Sequence, residues 1–218
     1  MPLNPILIKW KNIMEQQTDE WFAARLGKVT ASRVADVVAK TKTGYSTSRA
    51  NYMAELICER LTGSRGDFYK NAAMEWGTAT EPQARSAYEA AAGVLVTEVG
   101  FVPHSTLTMA GASPDGLVGA DGLVEIKCPI TATHIDTLLG ANVPSNYNTQ
   151  MQWQMACTGR KWCDFVSYDP RLPEHMQLFM ARVPRDEAYI QEITKEVTTF
   201  LAELDAKIDE LNKTYGVK

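Results

Sequence analysis

Towards the end of the chain Ile190, Ile193, Val197, Leu201, Leu204, Ile208 and Leu211 recur at spacings of three and four, the period of one helical face. This predicts a long helix over residues 185–215 that packs on the body through that stripe; contact with another subunit is the second use such a stripe has. Upstream, Thr18-Asp19-Glu20 opens a helix over 18–26 that stops at Gly27, and Thr30 or Ser32 caps a second one reaching Lys40. A Gly/Ser/Thr stretch over 42–48 reads as a loop. A helix follows over 47–61, ended by Gly63, and another over 71–92, closed by Gly93, in which Gly77 and Pro82 predict a break.

The pattern then changes to strand-like composition over 94–103, 107–112 and 123–128, with hairpin-turn chemistry in Gly119-Ala-Asp-Gly122. Helices are predicted over 131–139 and 145–158, and strands over 161–168 and 176–183. No repeat, low-complexity tract or linker interrupts this order. The expectation is one domain over residues 1–218, of α/β class: a mixed central β-sheet flanked by α-helices, with a long C-terminal helix.

Composition adds exclusions. With 218 residues, 45% of them apolar and 22% charged, the chain can bury one sizeable core and has no disordered, fibrous or membrane character. Residues 1–8 lack the basic region and long apolar stretch of a signal peptide, so a cytoplasmic location is expected. Cys58, Cys128, Cys157 and Cys163 form no CxxC, and His104, His134 and His175 form no HxH or HxxxH. Zinc, iron–sulfur and Ser-His-Asp chemistry are therefore unsupported.

The net charge of −4 is unevenly distributed. Residues 1–70 hold eleven basic against seven acidic side chains (+4), 71–159 two against eight (−6), and 160–218 nine against eleven (−2). Such a division suits a cation site beside a phosphate-binding surface, although ordinary surface variation produces it too.

The acidic third carries the chemistry. Side chains alternate along a strand, so Glu125 and Lys127 project together while Val124, Ile126 and Cys128 face apolar packing. A hairpin would fold Asp115, of Ser113-Pro-Asp-Gly116, back towards them. Two carboxylates, the carbonyl of Ile126 and an ammonium at one end of a sheet suit Mg²⁺, which takes a few protein oxygens and completes its octahedron with water or substrate phosphate. A lysine there can orient or deprotonate water and offset charge on a phosphorane-like transition state. The PD…(D/E)xK spacing alone is a weak signal, since an exposed hairpin with a Glu/Lys pair would look the same. The strand-turn-strand setting and an upstream helix carrying Glu81 strengthen it.

Six motifs occur in order: Trp21…Arg25-Leu-Gly-Lys-Val-Thr-Ala-Ser32, Met74-Glu-Trp-Gly-Thr-Ala-Thr-Glu81, Ser113-Pro-Asp-Gly116, Val124-Glu-Ile-Lys-Cys-Pro129, Gln150-Met-Gln-Trp-Gln154 and Tyr168-Asp-Pro-Arg171. In them the chain resembles the phage lambda exonuclease family, the YqaJ-type viral recombinases of the PD-(D/E)xK nuclease superfamily, from about Trp21 to Asp186. The resemblance implies a restriction-endonuclease-like core. It also implies a Mg²⁺-dependent enzyme, with two ions and Mn²⁺ as an expected substitute, that degrades one strand of linear duplex DNA from the 5′ end to mononucleotides. A ring-shaped homotrimer and a single-strand annealing protein as recombination partner belong to the same implication. By position, Asp115, Glu125, Glu81 and the carbonyl of Ile126 are metal ligands, Lys127 the catalytic lysine and Gln152 a further catalytic glutamine. Arg25, Ser32, Ser113 and Gln152 meet the terminal 5′-phosphate, as guanidinium and hydroxyl donors suit.

Lys40, Lys42 and Met74 are the candidates for gripping and parting the duplex, and Trp76 and Trp153 are aromatic enough to stack bases but fit a core equally. Three other readings compete. A Cas4-like nuclease would need clustered cysteines that are missing here. A retaining glycosidase would need sugar platforms and no adjacent lysine. A non-catalytic DNA-end-binding protein would have no need of intact Asp115, Glu125, Lys127 and Glu81.

Overall fold

The computed structural model describes residues 15–66 and 72–216. The predicted helix start at Asn71 and the signal-peptide reading of residues 1–8 lie outside them. The first element among the described residues is α1 (Asp19–Arg25), whose first turn is capped by Thr18 accepting from the Trp21 N–H. Gly27, at φ +67°, then reverses direction and leads into β1 (Val29–Thr30), a 3₁₀ turn (Ala31–Arg33) and α2 (Val34–Val38). The helix expected to reach Lys40 thus stops at Val38, because Lys40 and Thr41 are taken as β2 (Lys40–Thr41), which pairs with β3 (Gly44–Tyr45). The stretch read as a loop is this hairpin; its four exposed residues carry no apolar alternation to betray it.

Helices α3 (Thr47–Thr62) and α4 (Ala72–Ala92) follow. Pro82 sits inside α4 without ending it. The missing N–H disfavours that continuity, and burial of Thr80 before Pro82 and of Ala84 and Tyr88 after it outweighs it.

The central sheet has the order β10-β9-β8-β7-β4, built from β4 (Val96–Thr97), β7 (Gly116–Val118), β8 (Gly122–Lys127), β9 (Trp162–Tyr168) and β10 (Leu178–Pro184). The β8–β9 pair is parallel and the others antiparallel. A parallel neighbour requires a crossover, supplied by α5 (Thr131–Gly140) and α6 (Ser145–Thr158). A second sheet, β1-β6-β5, joins β5 (Val102–Pro103) and β6 (Ala110–Ala112) to the N-terminal strand. The strand expected over 94–103 is therefore two short strands in two different sheets.

The sheet separates two apolar layers. On one face α4 sets Ala84 and Tyr88 against Val118, Val124, Ile126, Val166 and Tyr168. On the other, Leu123, Cys163 and Phe165 pack with α6 and with α7 (Glu187–Tyr215), which starts at an Asp186 cap. The predicted stripe on α7 is buried from Ile190 to Leu204, and at Leu211 it emerges, 37% exposed. Among the described residues no helix is long and apolar enough to cross a membrane.

Candidate active site

β8 binds the site together because its two faces serve different ends. Val124 and Ile126 are sealed into the α4 layer, whereas Glu125 and Lys127 point towards α6. Glu125 is completely buried, a position a carboxylate occupies only with partners. It has three: the Lys127 ammonium and the Gln150 amide (2.5 Å) donate to Oε1, and the Gln154 amide donates to Oε2 at 2.5 Å. Gln150 and Gln154 stand four apart on α6 and so share a face.

Asp115 reaches the same strand from the β6–β7 turn. The β7–β8 ladder ends where Gly116 pairs with Val124, leaving the Ile126 N–H without a strand partner on that side. Asp115 Oδ2 takes it at 2.6 Å. In a strand, N–H and C=O of one residue point the same way, so the Ile126 carbonyl faces this open edge as well. Gln16 fixes the turn by donating from one amide to the carbonyls of Val99 and Pro114, both at 2.8 Å.

A cleft of about 370 Å³ lies over this end of the sheet, lined by Glu81, Asp115, Ile126, Lys127, Cys128 and Tyr147 among others. Glu81 enters from α4 and is ion-paired to Arg85 at 2.8 Å. Electrostatics bind the groups into one unit. Burial, reinforced by Glu125, holds Asp115 well above the ordinary carboxylate range, with Lys127 pulling the other way. Burial also raises Glu81, opposed by Arg85 and aided by Glu125. For Lys127, burial acts to lower the pKa, but Glu125 and Asp115 outweigh it and the ammonium is held above its usual value.

Among the described residues no three carboxylates, imidazoles or thiols are gathered tightly enough to hold a metal by themselves. The donor set nevertheless fits a hard cation that asks for few protein ligands. Beside burial, the Glu125 charge disfavours ionisation of Asp115; a divalent charge relieves that repulsion, and the Ile126 carbonyl adds an oxygen.

A second, larger pocket of about 800 Å³ adjoins the first, sharing Met74. It contains Arg25, Lys28, Arg33 and Arg65 beside Trp21, Phe22, Ser32 and Tyr52, with Glu55, Glu59 and Glu75 also on its walls. Arg25 lies 4.1 Å over the Trp21 ring, and both Arg25 Nη1 (3.0 Å) and Trp21 Nε1 (2.9 Å) donate to the Ser113 hydroxyl. Burial brings the Arg25 guanidinium down to about 10, which leaves it charged at neutral pH. Ser32, on the 3₁₀ turn, lines the same pocket with its Oγ 3.4 Å from Thr30 Oγ1. Gly27 sets the approach: Glu59 accepts its N–H (2.7 Å) and Arg60 donates to its carbonyl (2.8 Å).

Of the sequence candidates, Asp115, Ile126, Lys127 and Glu81 line one cleft, with Glu125 buried behind it on Lys127, and Arg25, Ser32 and Ser113 are brought to or beside the adjoining pocket. Gln152 is not brought there. Its amide donates to the Pro184 carbonyl and accepts from the Asp186 N–H, both at 2.9 Å, tying α6 to the start of α7. Two residues along a helix is more than half a turn, so Gln150 and Gln154 face Glu125 while Gln152 looks away.

Lys40 is ion-paired to Glu196 of α7 at 2.6 Å, and Lys42 is exposed between the hairpin strands. Trp153 is fully buried in the core with its indole N–H on the Gly111 carbonyl (3.3 Å). Trp76 lies 4.3 Å beneath Arg171. Sequence reasoning assigned no role to Gln16, Gln154 or the Asp169–Arg171 pair, in which Arg171 grips the buried Asp169 carboxylate and the Pro129 carbonyl just beyond β8. The i, i+4 spacing of Gln150 and Gln154 was the signal open to it.

A family model described as the YqaJ-like viral recombinase domain matches residues 20–161. Among solved structures, an alkaline exonuclease from Laribacter hongkongensis is 59% identical, with a TM-score of 0.84 over 90% of this chain and 97% of that one. The same exonuclease in complex with dAMP gives 0.85 at the same identity and coverage. A phage-related exonuclease from Haemophilus somnus 129PT, 17% identical over 84% of this chain and 96% of its own, shares the fold at a TM-score of 0.69. No curated protein sequence matches the chain at a significant level. The architecture is the restriction-endonuclease-like one of these exonucleases.

Proposed function

Because the chain belongs to the YqaJ-like viral recombinase family, we propose that it is a Mg²⁺-dependent exonuclease that digests one strand of linear duplex DNA from a 5′-phosphorylated end. Mononucleotides would be released and a 3′ single-stranded tail left for strand annealing. The observation that carries the reading is the turn between β6 and β7. Ser113 meets Arg25 at the cationic pocket, and two residues later Asp115 meets the Glu125–Lys127 cleft. Two residues of extended chain span roughly 7 Å. A terminal phosphate held by Arg25, Ser113 and Ser32 therefore lies close enough for the next phosphodiester to reach the carboxylates.

Asp115, Glu125 and the Ile126 carbonyl would hold the metal, with Glu81 as a further acidic group; when bound, the metal supplies Lewis-acid charge to the phosphate and acidifies water. Lys127, an ammonium with three donors, orients water and offsets charge at the phosphate under attack. Gln150 and Gln154 hold the Glu125 carboxylate in place, one amide on each oxygen. The resemblance to the phage lambda exonuclease family supports a ring-shaped homotrimer, a single-strand annealing protein as partner and action in the bacterial cytoplasm.

The test is a time course on linear duplexes labelled at the 5′ or the 3′ end, beside a covalently closed circle, with Mg²⁺ or chelator. The expected result is early release of the 5′ label as mononucleotide with Mg²⁺ only, and an intact circle. Early release of the 3′ label would overturn the polarity, and cutting of the circle would overturn exonuclease action.

A further inference from the structure

Gln154 holds its amide in an unfavourable place. It is fully buried, its Nε2 donates to Glu125 Oε2 at 2.5 Å, and its own Oε1 has no hydrogen-bond partner among the described residues. The amide cannot turn over to cure this, since a carboxylate accepts only and needs the NH₂ facing it. An orphaned buried carbonyl is destabilising, so the amide does something here that an apolar side chain of the same size would not.

What it does is fix the plane of Glu125. Gln150 holds one oxygen and Gln154 the other, both from α6, so the carboxylate cannot rotate independently of the helix. Lys127, the third donor, is the one of the three that lines the cleft.

We propose that Gln154 is a specificity-determining residue: by pinning Glu125 Oε2 it confines Glu125 to a single-oxygen metal contact and so tilts the site towards Mg²⁺ and against Ca²⁺. The chemistry of the two ions supplies the reason. Mg²⁺ demands a near-ideal octahedron and accepts a rigid single oxygen, whereas Ca²⁺ takes 6–8 oxygens and gains from a carboxylate that gives both. Giving both requires the Glu125 plane to turn and Oε2 to shed the Gln154 donor. The inference rests on the metal-dependent reading above.

The experiment is calorimetric titration of the DNA-free protein with Mg²⁺ and with Ca²⁺, for wild type, Gln154→Met and Gln154→Leu, with each variant's metal-free melting temperature recorded. Gln154→Met removes the orphaned oxygen along with the donor and keeps the volume; Glu125 keeps its Lys127 and Gln150 donors, and the melting temperature reads the cost of the lost bond to Oε2. The expected result is a Ca²⁺/Mg²⁺ affinity ratio that rises about tenfold in the variants, read as tighter Ca²⁺ binding. An unchanged ratio, or equal weakening of both ions, overturns the selectivity role while leaving the nuclease reading intact. Wild-type protein that binds neither ion, yet degrades DNA in chelator, overturns both together.

Discussion

Asp169→Asn isolates the contact that holds the segment after β8 in place. Asp169 is fully buried and accepts from the Arg171 N–H (3.0 Å), Nε (2.6 Å) and Nη2 (2.9 Å). Its own burial would raise its pKa, but the bonds from Arg171 and Thr131 outweigh that and bring it down to about 2 from the ordinary 3.8. At about 1.36 kcal/mol per tenfold change that difference corresponds to roughly 2.4 kcal/mol favouring the charged carboxylate in the folded state. Solvent screening through the 43%-exposed Arg171 reduces this to about 1–2 kcal/mol.

The folded pKa is depressed, so this stabilisation is fully present above pH 3.8 and is lost as pH falls through about 2. Asparagine has the shape but not the charge. The variant should melt roughly 2–8 °C below wild type at any pH between 5 and 8, and the gap should close as pH falls from about 4 towards 2. Urea unfolding at pH 7, 4, 3 and 2.5, followed by fluorescence, measures it. A gap that persists unchanged at pH 2.5, or is absent at pH 7, would refute the assignment.

The two faces of α6 give a second prediction. Gln150→Leu should abolish most turnover and leave melting nearly unchanged, whereas Gln152→Leu should retain the chemistry and lose about 1–3 kcal/mol of stability, because two hydrogen bonds that tie α6 to the start of α7 are lost at about 0.5–1.5 kcal/mol each; steady-state rates beside thermal melts separate them, and the reverse pattern would return Gln152 to the site. Arg25→Ala should reduce kcat/KM on 5′-phosphorylated ends by about 10–100-fold, the worth of a charge-assisted hydrogen bond, and spare 5′-hydroxyl ends. Equal loss on both end types would make Arg25 a general backbone contact or a structural residue.

Periodic features were legible in the sequence because their cause is local. The α7 stripe, the limits of α6 at Ser145–Thr158 and the pairing of Glu125 with Lys127 on one face follow from repeats of 3.6 and 2, which the chain carries within itself. The motif residues around Asp115 and Arg25 were legible by their chemistry. Three-residue β7, with Gly116 and only two side chains, was not, since it has too few positions to show alternation. Pro82 marked a break in α4 that packing against the sheet overrides.

The glutamines mark the boundary most sharply. The sequence places Gln150, Gln152 and Gln154 on one helix and says that the first and last share a face. Which face meets Glu125 is set by how α6 docks between the sheet and α7, a matter of core packing summed over the whole molecule. The pairing of β1 with β6 brings Arg25, eighty-eight residues away in sequence, to Ser113, and α6 supplies two of the three donors to the buried Glu125.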